Sequence, residues 1–292
     1  MSRAETEIEP GYFNESLDPG QAERLVLRFP HGDLMTFPSE EGRITVDIEI
    51  RGPVEKLAAW KPSIRRREGI IIIADEGLDG VIVSGARIRV PACIRDIEAH
   101  SSTGSLELRD LSADILAATD AGSIRIAGGA QMELSSVSGE IEVEKVTSVA
   151  VRVGSGLIRC RDIAGPVSAE SESGDVVVES AAGNVVVLSE SGDISIQRPG
   201  GRLRLVTESG DVELEIAGRF AGGEVSTSTG DVSLSLGGAD LELRAETLSG
   251  NLDVPGVEIP LTNGPRRCAL RLGAGGRRLH VRSVSGDVEI EK

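Results

Sequence analysis

The sequence predicts an all-β chain wound as a single-stranded parallel β-helix. This is a β-solenoid with coils of about 18 residues, preceded by an N-terminal β-rich cap that contains one short helix. Three observations carry the prediction. A turn of the form S-G-D recurs at steps of 17 to 20 residues, aliphatic and polar residues alternate after each turn, and every aromatic residue except Phe220 lies within the first sixty positions.

Residues 1–20, "MSRAETEIEPGYFNESLDPG", are polar and without period, and are expected to form a loose lead-in. Residues 21–80 form the expected cap. Strands are predicted at 24–29, 34–37, 43–50, 70–74 and, leading into the coils, 81–83, where aliphatic and β-branched residues stand between turn-forming clusters. The stretch "GPVEKLAAWKP" reads as one helix, with Pro53 suited to its first turn and Pro62 ending it. Trp60 is expected to pack this helix over the first coils, since the end layer of a solenoid otherwise exposes apolar side chains and unpaired backbone.

Residues 81–292 form the predicted helix of coils. The turn anchors are Ala86, Gly104, Gly122, Gly139, Gly156, Gly174, Gly192, Gly210, Gly230, Gly250, Cys268 and Gly286, with Ala86 and Cys268 placed by spacing alone. Every residue two positions after an anchor is aliphatic, from Ile88 and Leu106 to Leu270 and Val288. Four positions after, only Cys160 breaks the aliphatic column, and a cysteine there acts as a small buried hydrophobe. A second strand follows about nine residues later, as at Val185 and Val187 or Leu203 and Leu205. Outward residues between the buried columns read Arg89, Glu107, Arg125, Glu142, Arg159 and, near the end, Asp253, Arg271, Glu289. Such alternation of sign is a register device, because opposite charges on neighbouring strands attract and like charges repel.

The sequence closes on an ordinary repeat, "SVSGDVEIEK". Val288 and Ile290 are therefore the expected assembly edge for end-to-end homo-oligomers, unless Glu289, Glu291 and Lys292 act as gatekeepers.

A net charge of −16 favours solubility and makes nucleic acid an unlikely partner. The longest aliphatic run, Ile70 to Ile73, is too short to span a membrane or serve as a signal core, so no membrane insertion is expected and a cytoplasmic setting is read. Cys93, Cys160 and Cys268 are odd in number and far apart, which supports neither a disulfide framework nor a zinc motif.

The order "AERLVLRFPHGDLMTF", "RITVDIEIRG", a short helix, "GIIIIADEG", "ARIRVP" and tandem S-G-D coils resembles a bacterial β-strand-repeat family of unknown function whose members are named as candidate adhesins. The likeness covers residues 22–292. It implies the fold, an interaction role outside the cell that the missing export signal opposes, and no catalytic residues.

Two side-chain sets are candidate sites. Glu172, Asp175, Glu190, Asp193, Glu208 and Asp211 form an acidic turn column that is a weak calcium candidate, while the preferred reading is that these turns use side-chain oxygens to satisfy backbone N–H groups. The segment "TNGPRRCALRLGAGGRRLHVRS" carries Arg266, Arg267, Arg271, Arg277, Arg278 and Arg282 without an acid, and is the partner-binding candidate for phosphate, an acidic polymer or an unidentified protein. Neutralisation of neighbouring acidic coils is the simpler role for it. His31, His100 and His280 are scattered and "GAGG" at 273–276 reads as a turn, so neither a catalytic set nor a cofactor is expected.

The function expected is a non-enzymatic, rigid scaffold or interaction protein that self-associates end to end. The alternative is a surface adhesin-like binding module, with a polysaccharide-active or other enzyme a distant third.

Overall fold

In the computed structural model, which describes residues 8–218, 220–257, 259 and 264–291, the chain divides into two compact units, Met1–Gly139 and Glu140–Lys292. The division falls within the run of coils, away from the boundary expected at residue 80.

The first unit contains β1 (Ile8–Leu17), β2 (Arg24–Arg28), β3 (Asp33–Ser39), β4 (Ile44–Pro53), α1 (Val54–Leu57), β5 (Ser63–Arg67), β6 (Ile70–Ala74), β7 (Ile82–Pro91), β8 (Asp96–Ser101), β9 (Leu106–Arg109), β10 (Asp114–Ala121) and β11 (Ile124–Ser138). One ladder runs β1–β4–β7–β3–β9–β11 and the other β5–β6–β2–β8–β10–β11, so β11 contributes its start to one and its end to the other. Alternating side chains such as Leu25, Leu27, Leu34, Ile88, Ile97, Leu106 and Leu108 fill the core and are fully buried.

Three expectations are corrected in this unit. Ile8–Leu17 is a strand antiparallel to β4, where a loose lead-in was expected; it is an edge strand that turns mostly polar residues outward, so the apolar period is faint. Leu34 pairs with Ala86 on one side and Leu106 on the other, which inserts the β2–β3 layer between the layers of β6–β7 and β8–β9. His31-Gly32-Asp33 is thus an anchor motif out of sequence order. Asp33 faces Gly85, so Ser84 stands opposite Gly32, and Ala86 was two residues too far along to be the anchor. Arg89 accordingly pairs with Phe37 and Thr45 and does not lie beneath Glu107, whereas Arg125 and Glu107 are in register as expected.

The predicted helix is a single turn with Pro53 at its N-cap. Trp60 is buried, meets Phe13 edge-on at 6.3 Å, and donates from Nε1 to Asp75 Oδ1 at 3.2 Å.

The second unit contains β12 (Ile141–Ser155), β13 (Ile158–Arg161), β14 (Val167–Ser173), β15 (Val176–Val178), β16 (Val185–Ser191), β17 (Ile194–Gln197), β18 (Leu203–Ser209), β19 (Val212–Glu215), β20 (Gly223–Thr229), β21 (Val232–Ser235), β22 (Leu241–Ser249), β23 (Leu252–Asp253), β24 (Arg266–Leu272), β25 (Arg278–Ser285) and β26 (Val288–Glu291). Equally placed residues of successive coils are direct neighbours, as with Val167, Val185 and Leu203 in one ladder and Ile158, Val176 and Ile194 in the other. Cys160 lies between Val143 and Val178, fully buried, as its slot predicts.

The order of layers departs from the sequence near residue 280. β25 lies between β20 and β22, and β26 between β21 and β23, all in parallel register. Val288 and Ile290 are 1 % and 0 % exposed, so the expected assembly edge is an interior layer. β24 is no coil at all: it runs antiparallel along the outer edge of β22, Cys268 is half-buried, and Arg271 faces Glu242. The charge order here is Ser233, Glu289, Asp253, without alternation. Coils that carry the same pattern are interchangeable partners, so spacing along the chain could not reveal which lies upon which.

The anchor glycine is required by close stacking. A Cβ on Gly174 would strike the carbonyl of Gly156, and the same holds for Gly192 on Gly174, Gly286 on Gly230 and Gly250 on Gly286. Three residues before the anchors runs a buried hydroxyl column, Ser171, Ser189, Thr207, Thr227, Ser283 and Thr247 in spatial order. The recurrence of S/T-x-S/T-G carries this signal in the sequence.

Candidate anion-binding cleft

The acidic turns are occupied with their own backbone. Asp193 N–H donates to Asp175 Oδ1 at 3.0 Å, Asp211 N–H to Asp193 Oδ1 at 2.9 Å, Asp231 N–H to Asp211 Oδ1 at 2.7 Å, and Asp287 N–H to Asp231 Oδ1 at 2.7 Å. Asn251 ends the series by donating its N–H to Asp287 Oδ1 at 2.6 Å and its side-chain amide to Asp287 Oδ2 at 3.2 Å. These bonds hold the Asp287 carboxyl below its ordinary value of 3.8, the backbone N–H contributing most. Each carboxylate therefore offsets its repulsion from the next by accepting an amide proton. Glu172, Glu190 and Glu208 stay on the exposed ends of their strands, and among the described residues no group of three or more His, Cys, Asp or Glu is placed to hold a metal.

The basic segment is split by the turn at Gly273–Gly276. On the β24 side, Arg266 donates to the Gly250 carbonyl at 2.5 Å and to Asn251, Arg267 pairs with Glu246 at 2.8 Å, and Arg271 donates to the Ala274 carbonyl at 2.7 Å. These three serve the local fold. Arg282 is exposed on β25, in register with Ser226 and Glu246.

Arg277 and Arg278 do converge with other groups. Together with Arg202 and His280 they line a cleft of about 510 Å³ whose wall is the backbone of Gly222, Gly223 and Gly276, with Glu224 on the same rim. Gly222 has φ +100°, and a Cβ there would come within 2.6 Å of the Arg278 carbonyl, so no larger residue can occupy the gap. The backbone N–H of Arg202 donates to Asn184 Oδ1 at 2.9 Å, while the guanidinium of Arg277 donates to the Gly218 carbonyl at 3.3 Å and that of Arg278 pairs with Glu242 at 3.3 Å. The side chains of Arg278 and Glu242 are largely exposed, so that pairing is weak and screened. Three guanidinium groups against the carboxylates of Glu224 and Glu242 leave a local excess of one positive charge in an acidic chain, with donors suited to planar oxyanions.

The basic-segment reading identified Arg277 and Arg278 but missed Arg202, 75 positions earlier. A usable signal was the shared "GGR" at 200–202 and 275–277, where paired glycines enter a strand of the same ladder.

Stacked coils, backbone-satisfying turns and a side-chain cleft define an all-β, solenoid-like repeat protein. The family model described as Toastrack DUF4097 matches residues 39–291, and the chain belongs to that family. Among solved structures, a candidate cell adhesion protein from Clostridium sporogenes is similar at 14 % identity and TM-score 0.26, with 97 % of this chain and 99 % of that one covered. A candidate lipid binding protein from Parabacteroides distasonis is similar at 10 % identity and TM-score 0.41, with 97 % of each chain covered. A candidate adhesin from the same species is similar at 9 % identity and TM-score 0.39, covering 95 % of this chain and 96 % of that one. No curated protein matches the chain.

Proposed function

We propose that the protein is a non-enzymatic interaction scaffold, each unit wound as a single-stranded parallel β-helix, and that it holds a partner bearing carboxylate or phosphate groups in the Arg202–Arg277–Arg278 cleft. The carrying observation is the convergence of three arginines from two separate coils on a glycine wall, within a chain of net charge −16. An acidic surface excludes most anions at long range, and a local basic notch then selects those that fit.

Calorimetry of the full chain with inorganic phosphate and with a glutamate oligomer tests the site. Binding is expected to weaken with added salt and to fall at least tenfold, by about 1.4 kcal/mol, in the double substitution Arg202→Ala and Arg277→Ala. Equal affinity in the double variant would remove the cleft from the proposal.

A reducing, cytoplasmic location belongs to this reading, supported by the odd number and wide spacing of Cys93, Cys160 and Cys268, of which Cys93 is exposed. No helix among the described residues is long and apolar enough to cross a membrane. The adhesin-like alternative uses the same cleft at a different address, so cell fractionation separates the two. End-to-end self-association belongs to the same reading, and it excludes Val288 and Ile290 as contacts, since both are buried.

A further inference from the structure

The segment that follows Gly276 occupies a slot. β25 and β26 are inserted between two layers that precede them in the chain, and their backbone bonds run both ways: Gly230 N–H to the Ser285 carbonyl at 3.1 Å and Val232 N–H to the Asp287 carbonyl at 2.8 Å on one side, Gly286 N–H to the Ser249 carbonyl at 3.1 Å and Val288 N–H to the Asn251 carbonyl at 2.8 Å on the other. Side chains match likewise, with Val281 between Val225 and Ala245, Ser283 between Thr227 and Thr247, and Val288 between Val232 and Leu252.

The path into the slot is unusual. β24 lies on one edge of β22 and β25 on the other, so the chain must pass around the start of β22 within residues 273–277. Gly273, Gly275 and Gly276 make that passage at φ +55°, +73° and +100°, and Ala274 N–H is pinned to Asp240 Oδ1 at 2.9 Å. The GAGG motif is this crossover.

β22 and β23 precede β25 and β26 in the chain, so where they pair first the slot stands open until β25 and β26 enter it. An open slot offers an unpaired edge on each side, with the Gly230-Asp231 turn on one and the Gly250-Asn251 turn on the other. Its complement is residues 278–291, and every copy of the chain carries that complement.

We propose that this slot is an interaction surface whose partner is a second copy of the chain, which delivers its own residues 278–291 in exchange. All contacts of the inserted layer are the same in the exchanged form, and only the crossover changes. Opposing exchange is the effective concentration of the chain's own segment, on the order of mM for a short link.

Disulfide trapping tests this on the full chain with Cys93→Ser and Cys268→Ser. Thr229 and Ser285 are exposed register partners, at a separation of about 4.8 Å that a disulfide spans. One preparation carries Thr229→Cys alone and the other Ser285→Cys alone, and they are unfolded and refolded together. A disulfide-linked heterodimer whose yield rises with protein concentration is the expected result. No heterodimer at about 1 mM chain, with the double variant Thr229→Cys, Ser285→Cys still closing its intrachain disulfide, overturns the proposal.

A second arm deletes Gly273–Gly276. Arg277 alone then links β24 to β25 with a reach of about 7 Å, short of the roughly 9.6 Å across two strand spacings. Heterodimer yield at equal concentration is expected to rise about 100-fold, since the intrachain competitor is gone. A folded, strictly monomeric deletion variant would equally overturn exchange.

Discussion

The glycine of each S-G-D turn has a specific task at the atomic scale: it lets one carbonyl lie where a side chain would begin. Gly174 stacks on the Gly156 carbonyl, whereas Gly42, at φ +68°, has open space around its missing Cβ. Gly174→Ala is therefore expected to lower stability by about 2 to 3 kcal/mol through overpacking against backbone, and Gly42→Ala by about 1 kcal/mol from backbone conformation alone. Urea denaturation of both variants checks the contrast. Asp287 adds a pH signature. Its folded carboxyl lies below 3.8, so its contribution is fully present above the unfolded value and is lost as pH falls through the folded one. Asp287→Asn should flatten the stability profile below about pH 4 and leave its shape at neutral pH unchanged. The Cys160 thiol, pushed up to about 12 by burial, stays protonated at neutral pH and packs as an aliphatic group.

Among elements, the coil itself was readable from the sequence. Period-two alternation, the anchor glycine and the 18-residue step together placed the inward columns that begin at Ile141, Ile158, Val176, Ile194, Val212 and Val232, because each coil must satisfy these needs locally, but they also placed Leu270 and Leu272 inward, and these lie half-buried on the antiparallel β24. β1 was not readable, since the face it shares with Ile50, Ile48, Val46 and Ile44 of β4 carries Gly11, Phe13, Glu15 and Leu17, of which only Leu17 is buried. The inserted layer of β25 and β26 gives the sharpest element-level test. Val288→Asp places an unpaired charge between Val232 and Leu252, so a loss of about 4 kcal/mol or outright unfolding is expected in thermal melts. A solvent-facing edge would accept the same substitution at almost no cost.

For the molecule as a whole, the two units share one device. In the first, β2 and β3 are tucked between layers that follow them in the chain; in the second, β25 and β26 are tucked between layers that precede them. Each segment thereby gains neighbours on both edges and resists fraying. Two of the outer strands are antiparallel pieces rich in arginine, with Arg65, Arg66 and Arg67 on β5 and Arg266, Arg267 and Arg271 on β24, which discourages uncontrolled edge pairing there. Hydrogen exchange should report this order. Amides of Val288 and Val281 are expected to be as protected as those of Val212 and Leu205, while β24 exchanges first; fast exchange at Val288 would contradict the inserted layer.

The candidate cleft was half legible: the arginines next to the GAGG turn stood out by density, but Arg202 joined them only because β18 and β25 flank β20 in one ladder. What the sequence alone determined is the repeating unit, its inward and outward faces and its turn chemistry. Those follow from backbone stacking and burial that every coil meets within about 18 residues of itself. Only the tertiary structure decided the order of layers, the interior place of Val288 and Ile290, and the company of Arg277. The physical reason is that similar coils offer nearly equal edges, so pairing energy cannot rank neighbours by sequence position, and the path of the connecting chain makes the choice.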